Sequence, residues 1–211
     1  MITKATFKIT NTLILFTSLS FAVFAQQKKP IPSNQYVLDI KQSKIFWKGP
    51  KSAGNKHHGY LQLRSGVLNE TNKGKFNTAD FTINMNSITT QDYKKEKDNQ
   101  EVDAVLKGHS FFMVADYPTG RMTVKQIEIM PERNQYTVYG DLTLKGISRP
   151  IVFVATIKKN ANTVLATASF NIDRNKWGIN AKKSDDMMSF MKDQLIADDI
   201  PIALDLIFNK L

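Results

Sequence analysis

The hydrophobic positions of the chain recur every second residue over most of its length. Phe81, Ile83 and Met85 alternate with Thr82, Asn84 and Asn86. Val164, Ala166, Ala168, Phe170 and Ile172 alternate with Leu165, Thr167, Ser169 and Asn171, and Ile202, Leu204, Leu206 and Phe208 repeat the rhythm near the end. A period of two puts one row of side chains inside a sheet and one outside. Further strands are predicted over Tyr36–Ile40, Lys44–Trp47, Tyr60–Val67, Arg121–Met130, Gln135–Leu144 and Ile151–Lys158. Turn-forming residues fall between these strands at Asn72–Lys75, Pro131–Asn134 and Lys159–Asn162.

Two stretches break the rhythm. Asn99–Lys107 places Val102, Val105 and Leu106 on one helical face. Ser184–Lys192 offers Ser184 as an N-cap, Asp185 and Asp186 in the first turn, then Met187, Met188, Phe190 and Met191. Methionine adapts its shape to irregular partners, so this second helix suits a lid over an apolar chain and equally a plug in an empty core. With no internal repeat and no second compositional zone, residues 35–211 are expected to form one antiparallel all-β domain with one or two short helices. Alternation alone leaves barrel and sandwich both open.

Residues 1–25 have a different layout. Lys4 and Lys8 lead an apolar run from Leu13 to Phe24, and Val23-Phe24-Ala25 places small residues around a cleavage point before Gln26. That is the pattern of a secretory signal peptide; a membrane anchor needs about 20 apolar residues, more than this run supplies. Residues 26–34, with Pro30 and Pro32, read as a flexible leader. The mature protein is therefore expected to be periplasmic or secreted, with no stable transmembrane insertion.

Composition removes several function classes. Apolar residues make up 42% of the 211, an ordinary globular value, and there is no cysteine. Disulfides, thiolate metal sites, cysteine nucleophiles and lipid-modified cysteines are thereby excluded. The net charge of +10 favours anionic partners, but the basic residues are spread along the chain and export removes it from the genome, so no nucleic-acid partner is expected. The densest acid-free stretch holds Lys41, Lys44, Lys48, Lys51 and Lys56. It reads as a solvated edge that discourages strand pairing, or as a basic rim for a phosphate or lipid head group.

Catalytic chemistry finds no foothold. His57 and His58 are adjacent and would face opposite sides of a strand, with no carboxylate at ligand spacing; His109 stands alone. There is no Gly-x-Ser-x-Gly elbow and no glycine-rich phosphate loop. The expectation is a non-enzyme without metal or resident cofactor. Phe111-Phe112, ahead of Asp116-Tyr117-Pro118-Thr119, form the most conspicuous aromatic cluster.

The order of motifs resembles the YceI-like family, the polyisoprenoid-binding proteins of bacterial periplasms. Tyr36-Val37-Leu38-Asp39 opens the domain and Ser43-Lys44-Ile45-Phe46-Trp47 follows. Leu106-Lys107, Phe111-Phe112 and Tyr117-Pro118-Thr119 come next, then the run from Gly140 to Pro150 (GDLTLKGISRP) and the run from Asp173 to Ile179 (DRNKWGI). The resemblance implies a lipocalin-like antiparallel barrel whose lumen holds an isoprenoid or quinone-type lipid. It departs from the family pattern in Asn99–Leu106, which lacks the usual arginine and the histidine before leucine.

On that reading the tail contacts expected are Phe46, Phe81, Ile83, Met85, Phe111, Phe112, Phe153, Phe170, Trp177 and Met188. Ala166 and Ala168 would leave lumen space. Head-group candidates are Arg149, Arg174 and His109. The partner expected is an amphipathic lipid, with a second copy of the chain as a further candidate. The competing reading is a side-chain-filled barrel serving as a structural or protein-interaction module of the envelope.

Overall fold

A computed structural model describes residues 34–49, 57–109, 111–179 and 198–211, all within the unit Ile31–Leu211. In chain order they form β1 (Asn34–Leu38), β2 (Lys44–Gly49), β3 (His57–Glu70), β4 (Phe76–Thr90), α1 (Glu96–Lys107), β5 (Thr119–Ile129), β6 (Gln135–Leu144), β7 (Ile147–Lys159) and β8 (Thr163–Asp173). A 3-10 turn, Arg174–Trp177, and β9 (Asp199–Lys210) complete them.

The strands make one antiparallel sheet that closes on itself, because β4 pairs with β3 after the sheet has run through β9, β8, β7, β6 and β5. Closure removes the edges an open sheet would expose and decides between barrel and sandwich. β1 and β2 both lie between β3 and β9 and run in the same direction. They are two halves of one interrupted strand, so the nine segments fill eight places in an antiparallel barrel. The interruption is Asp39–Ser43, an extruded loop held by its own side chains. Asp39 accepts from the Lys41 and Gln42 amides at 3.0 and 3.1 Å and from the Gln42 side chain at 2.7 Å. Those bonds, the Gln42 side chain first, hold the Asp39 carboxyl below its ordinary range. Ser43 then accepts from the Ile207 amide at 3.0 Å and re-enters the sheet.

The predicted strands are all present, and β3 and β4 run longer than their alternation suggests. Their mutual register shifts at Tyr60/Gln62, Leu63/Ser65 and Asn69/Glu70. A bulge inserts a residue and swaps the inward parity, so a strictly two-residue reading loses the strand there. The helix predicted from Asn99 begins at Glu96, with Glu96 and Asp98 in its first turn. The Ser184–Lys192 helix lies outside the described residues.

The two barrel ends are built differently. At the lower end three short turns join β3–β4, β5–β6 and β7–β8. Tyr36, Phe76 and Tyr136 pack edge to face there, with ring centroids 6.1 and 6.2 Å apart. Glu70, fully buried, accepts from Asn34 at 2.9 Å, from the Tyr36 hydroxyl at 3.2 Å and from Lys159 at 2.5 Å. The upper end carries α1, the 3-10 turn and the two-residue β6–β7 hairpin. Lys145 and Gly146 in that hairpin both have positive φ (49° and 71°), as a right-twisting tight turn requires.

Among the long strands, the shortest paired seam is that of β7 and β8. β7 and β8 pair only from Ala155 to Lys159 and from Val164 to Ala168, and part company above that point. β4 and β5 pair over six positions, Ala79–Asn84 with Thr119–Val124, and the other neighbouring pairs of long strands over eight or more. Pro150, which has no N–H to give a ladder, lies opposite Asp141 of β6 in the part of β7 that is unpaired with β8.

Candidate functional site

The inward rows enclose an apolar cavity along the barrel axis. Its volume, about 200 Å³, is roughly fifteen times what one water needs. Leu68, Ala79, Phe81, Val138, Ile157 and Phe208 surround its lower part. Trp47, His57, Ile88, Val102, Leu106 and Arg174 surround its upper part, beneath α1.

Of the expected tail contacts, Phe81, Ile83, Met85, Phe111, Phe112, Phe153 and Phe170 line this cavity, as do Ala166 and Ala168. β8 therefore presents its small-residue row to the lumen, with Ala168 opposite Ala155 of β7. Phe153 and Phe170 stack at 4.4 Å and 16°. They occupy the next inward step above Ala155 and Ala168, so ring stacking takes over where the β7–β8 hydrogen bonds stop.

Phe46 requires correction. It is 40% exposed, beside Tyr60 on the outer face, while Ile45 and Trp47 point inward. Three apolar residues in a row hide the parity, but the flanking lysines reveal it. Lys44, Phe46 and Lys48 share one face, and a lysine on a lumen wall would bury an unpaired charge. Trp177 is also displaced from its expected role. It is 1% exposed but lies outside the cavity, donating to the Leu142 carbonyl at 2.9 Å. Met188 lies outside the described residues.

The head-group candidates separate in the same way. Arg149 is exposed and donates to the Lys176 carbonyl at 3.1 Å. His109 is exposed and off the cavity wall. Arg174 does reach the wall, with its guanidinium donating to the Ile179 carbonyl at 2.8 Å and to Asp198 at 3.0 Å. Lys145 donates to the Gly178 carbonyl at 2.6 Å. The two motif runs, distant in sequence, thus meet as one fastening of the upper rim. Asp173 caps the turn by accepting from the Asn175 amide, and Gly178 ends it at a φ of 59°.

A polar cluster at the same rim escaped the sequence reading. Asp92 accepts from the His58 backbone at 2.7 Å and faces both His57 Nδ1 and, at 2.8 Å, His58 Nδ1. The carboxylate comes from just past the end of β4, more than thirty residues away, so no local spacing could announce it. Asn99 of α1 accepts from the Asp92 and Tyr93 amides, and Asp103 accepts from the Thr90 amide at 2.7 Å. α1 is therefore tied to the rim by side-chain bonds as well as by Val102. Among the described residues no group of three or more His, Asp or Glu side chains is arranged to hold a metal ion.

The fold has known counterparts. BcnA of Burkholderia cenocepacia superposes with a TM-score of 0.62 at 18% identity, over 81% of this chain and 98% of that one. A polyisoprenoid binding domain from Saccharophagus degradans gives 0.60 at 15% identity, over 82% and 97%. Among curated sequences, a UPF0312 protein of Yersinia pestis is 30% identical over 80 residues, 38% of this chain and only 37% of the relative. A UPF0312 protein of Photorhabdus laumondii is 26% identical over 101 residues, 48% of this chain and 52% of the relative. The YceI-like domain profile matches residues 36–208, nearly the whole barrel, and the chain belongs to the YceI-like domain family.

Proposed function

We propose that this protein binds a long-chain isoprenoid-type lipid with its tail in the barrel lumen, and sequesters or carries it outside the cytoplasm. The observation that carries the reading is the cavity itself: an apolar space walled by inward rows of the barrel, with small residues kept on β8. Each methylene moved from water into such a space contributes about 0.8 kcal/mol, so a long tail binds tightly with few polar contacts. The structural neighbour described as a polyisoprenoid binding domain supports the ligand class. The leader at 1–25 supports export. A binding role rather than catalysis fits a wall whose only ionisable members, among the described residues, are His57 and Arg174.

The test is to express the chain in a bacterial periplasm and measure its intact mass under native conditions. A discrete added mass, released by denaturation and soluble in organic solvent, is expected. Bare protein that stays bare after incubation with prenyl lipids would refute the reading in favour of an interaction module.

A further inference from the structure

One column of the barrel exterior interleaves apolar side chains with lysines. β1, the Asp39–Ser43 loop and β2 follow one another between β3 and β9. Along that column Val37, Ile40 and Phe46 are exposed by 37%, 46% and 40%. Lys41, Lys44 and Lys48 stand between and beyond them. Single exposed hydrophobics are ordinary, but a run of them rimmed by polar residues marks an interaction surface. The lysines guard no sheet edge, because β1 and β2 are paired on both sides and offer none. Ile40 is held outward by a loop that its own bonds fix. The Asp39 carboxylate takes the Lys41 and Gln42 amides, and the Ser43 amide donates to the Asp39 carbonyl at 3.0 Å. None of these bonds needs an apolar side chain at position 40.

The charge there is one-sided. Arg64, exposed on the stretch of β3 between its pairings with β1 and β2, adds a fourth cation alongside the loop. Among the described residues none of Lys41, Lys44, Lys48 and Arg64 has a carboxylate at ion-pair distance. Lys44 lies over the Tyr60 ring, 4.7 Å from its centroid. Asp39 is engaged by its own loop, and Asp205 stands across from Lys44 on β9. On the far side of the barrel, by contrast, Arg121 and Lys125 are both paired, with Asp80 at 2.7 Å and Asp141 at 2.5 Å. We propose that the β1–β2 column docks on the surface of an anionic phospholipid bilayer. Ile40 and Phe46 enter the boundary between head groups and acyl chains, and the four cations meet the lipid phosphates. Protruding apolar side chains suit a soft surface that is negative outside and apolar within. A second copy of the chain would set like charges against one another. The surface goes beyond the lipid-tail reading and stands or falls without it.

Vesicle flotation tests this on protein recovered from a bacterial periplasm. The vesicles are phosphatidylcholine alone, or phosphatidylcholine and phosphatidylglycerol in equal parts. The parent is compared with Ile40→Ser, with the pair Lys41→Gln and Lys48→Gln, and with the pair Arg121→Gln and Lys125→Gln from the far side. Thermal unfolding reports that each variant is folded, and any leader residue contributes equally to all of them. A cation close to an anionic surface strengthens partitioning about fivefold. The parent is therefore expected to bind the mixed vesicles about a hundredfold more tightly than the neutral ones. The Lys41 and Lys48 pair should lose about twenty-five-fold on mixed vesicles, and the Arg121 and Lys125 pair less than about twofold. Ile40→Ser should weaken binding to both vesicle types about tenfold. Absence of vesicle binding would overturn the proposal, as would equal weakening by the two charge pairs, which would mean diffuse charge. Binding that Ile40→Ser leaves untouched would overturn it too, reducing the column to a site for any polyanion. A dimer that Ile40→Ser makes monomeric, without vesicle binding, would assign the column to a second copy instead.

Discussion

Replacing Ala168 by leucine measures whether the barrel is hollow. Ala168 faces the cavity between Ala155 of β7 and Leu204 of β9. Leucine adds three carbons, and at about 0.8 kcal/mol for each buried methylene the transfer gain approaches 2.4 kcal/mol. Ordering the longer side chain costs roughly 0.5–1 kcal/mol. In a cavity of about 200 Å³ the added carbons meet space rather than neighbours. Urea unfolding should then find the variant as stable as the parent or up to about 1.9 kcal/mol more stable, with an unchanged denaturant slope. In a close-packed lumen the same change forces rotamers and backbone apart and costs about 1–3 kcal/mol. The two cases differ in sign. Ligand binding moves the opposite way, because three methylenes' worth of tail space is lost, a roughly fiftyfold weakening. Destabilisation of about 1 kcal/mol or more, or tail binding that leucine leaves untouched, would refute the claim that this wall borders an empty ligand space.

Other perturbations follow from the same geometry. Phe46→Ser, on the outer face, should change stability by less than about 0.5 kcal/mol and leave tail binding intact; a loss of binding would show that the assigned face is wrong. Trp177→Phe removes the donor to the Leu142 carbonyl, and chemical denaturation should find it about 1–2 kcal/mol less stable, with the lumen still able to take a tail. For Glu70, burial pushes the carboxyl up, but the bonds from Lys159, Asn34 and Tyr36 together hold it below its ordinary range. A carboxyl lowered in the folded state stabilises fully above its unfolded value, near pH 4, and loses that contribution as pH falls through its folded value. Glu70→Gln should therefore be about 2 kcal/mol less stable than the parent at neutral pH, with the gap closing in acid. A gap that does not depend on pH would contradict the assignment.

Much of the barrel was legible because the lumen is apolar and the exterior is wet, so the rule that builds the wall also writes the alternation. β8 is the clearest case. Its row from Val164 to Ile172 alternates without a bulge, and all of it from Ala166 onward borders the cavity. Legibility fails where parity is ambiguous or where partners are distant. Ile45-Phe46-Trp47 is apolar on both faces, and only the lysines around it fix the register. The His57–Asp92–His58 cluster is made by the pairing of β3 with β4, which no local pattern encodes. Trp177 was misplaced for another reason. An aromatic in a motif fits a ligand contact and a rim fastening equally well until its N–H partner is known.

The asymmetry of the two ends also indicates where the barrel yields. On the proposed function a lumen lipid must enter and leave, and opening the lower end would expose the buried Glu70 network together with three packed aromatic rings. The upper half of the β7–β8 seam has no ladder to break. There the lumen is bordered by half-buried Ile151, Phe153 and Phe170, held by stacking instead of backbone bonds. Side-chain contacts of this kind rearrange locally, whereas a strand ladder opens cooperatively. Amides of residues 148–154 that point away from β6, and those of residues 169–173 that point away from β9, should thus exchange with solvent faster than the paired amides of 155–159 and 164–168. Hydrogen exchange on the intact protein, resolved by residue, measures this directly. Equal protection above and below Ala155 would mean the seam is closed in solution and that exchange of the lipid must proceed through the rim beneath α1.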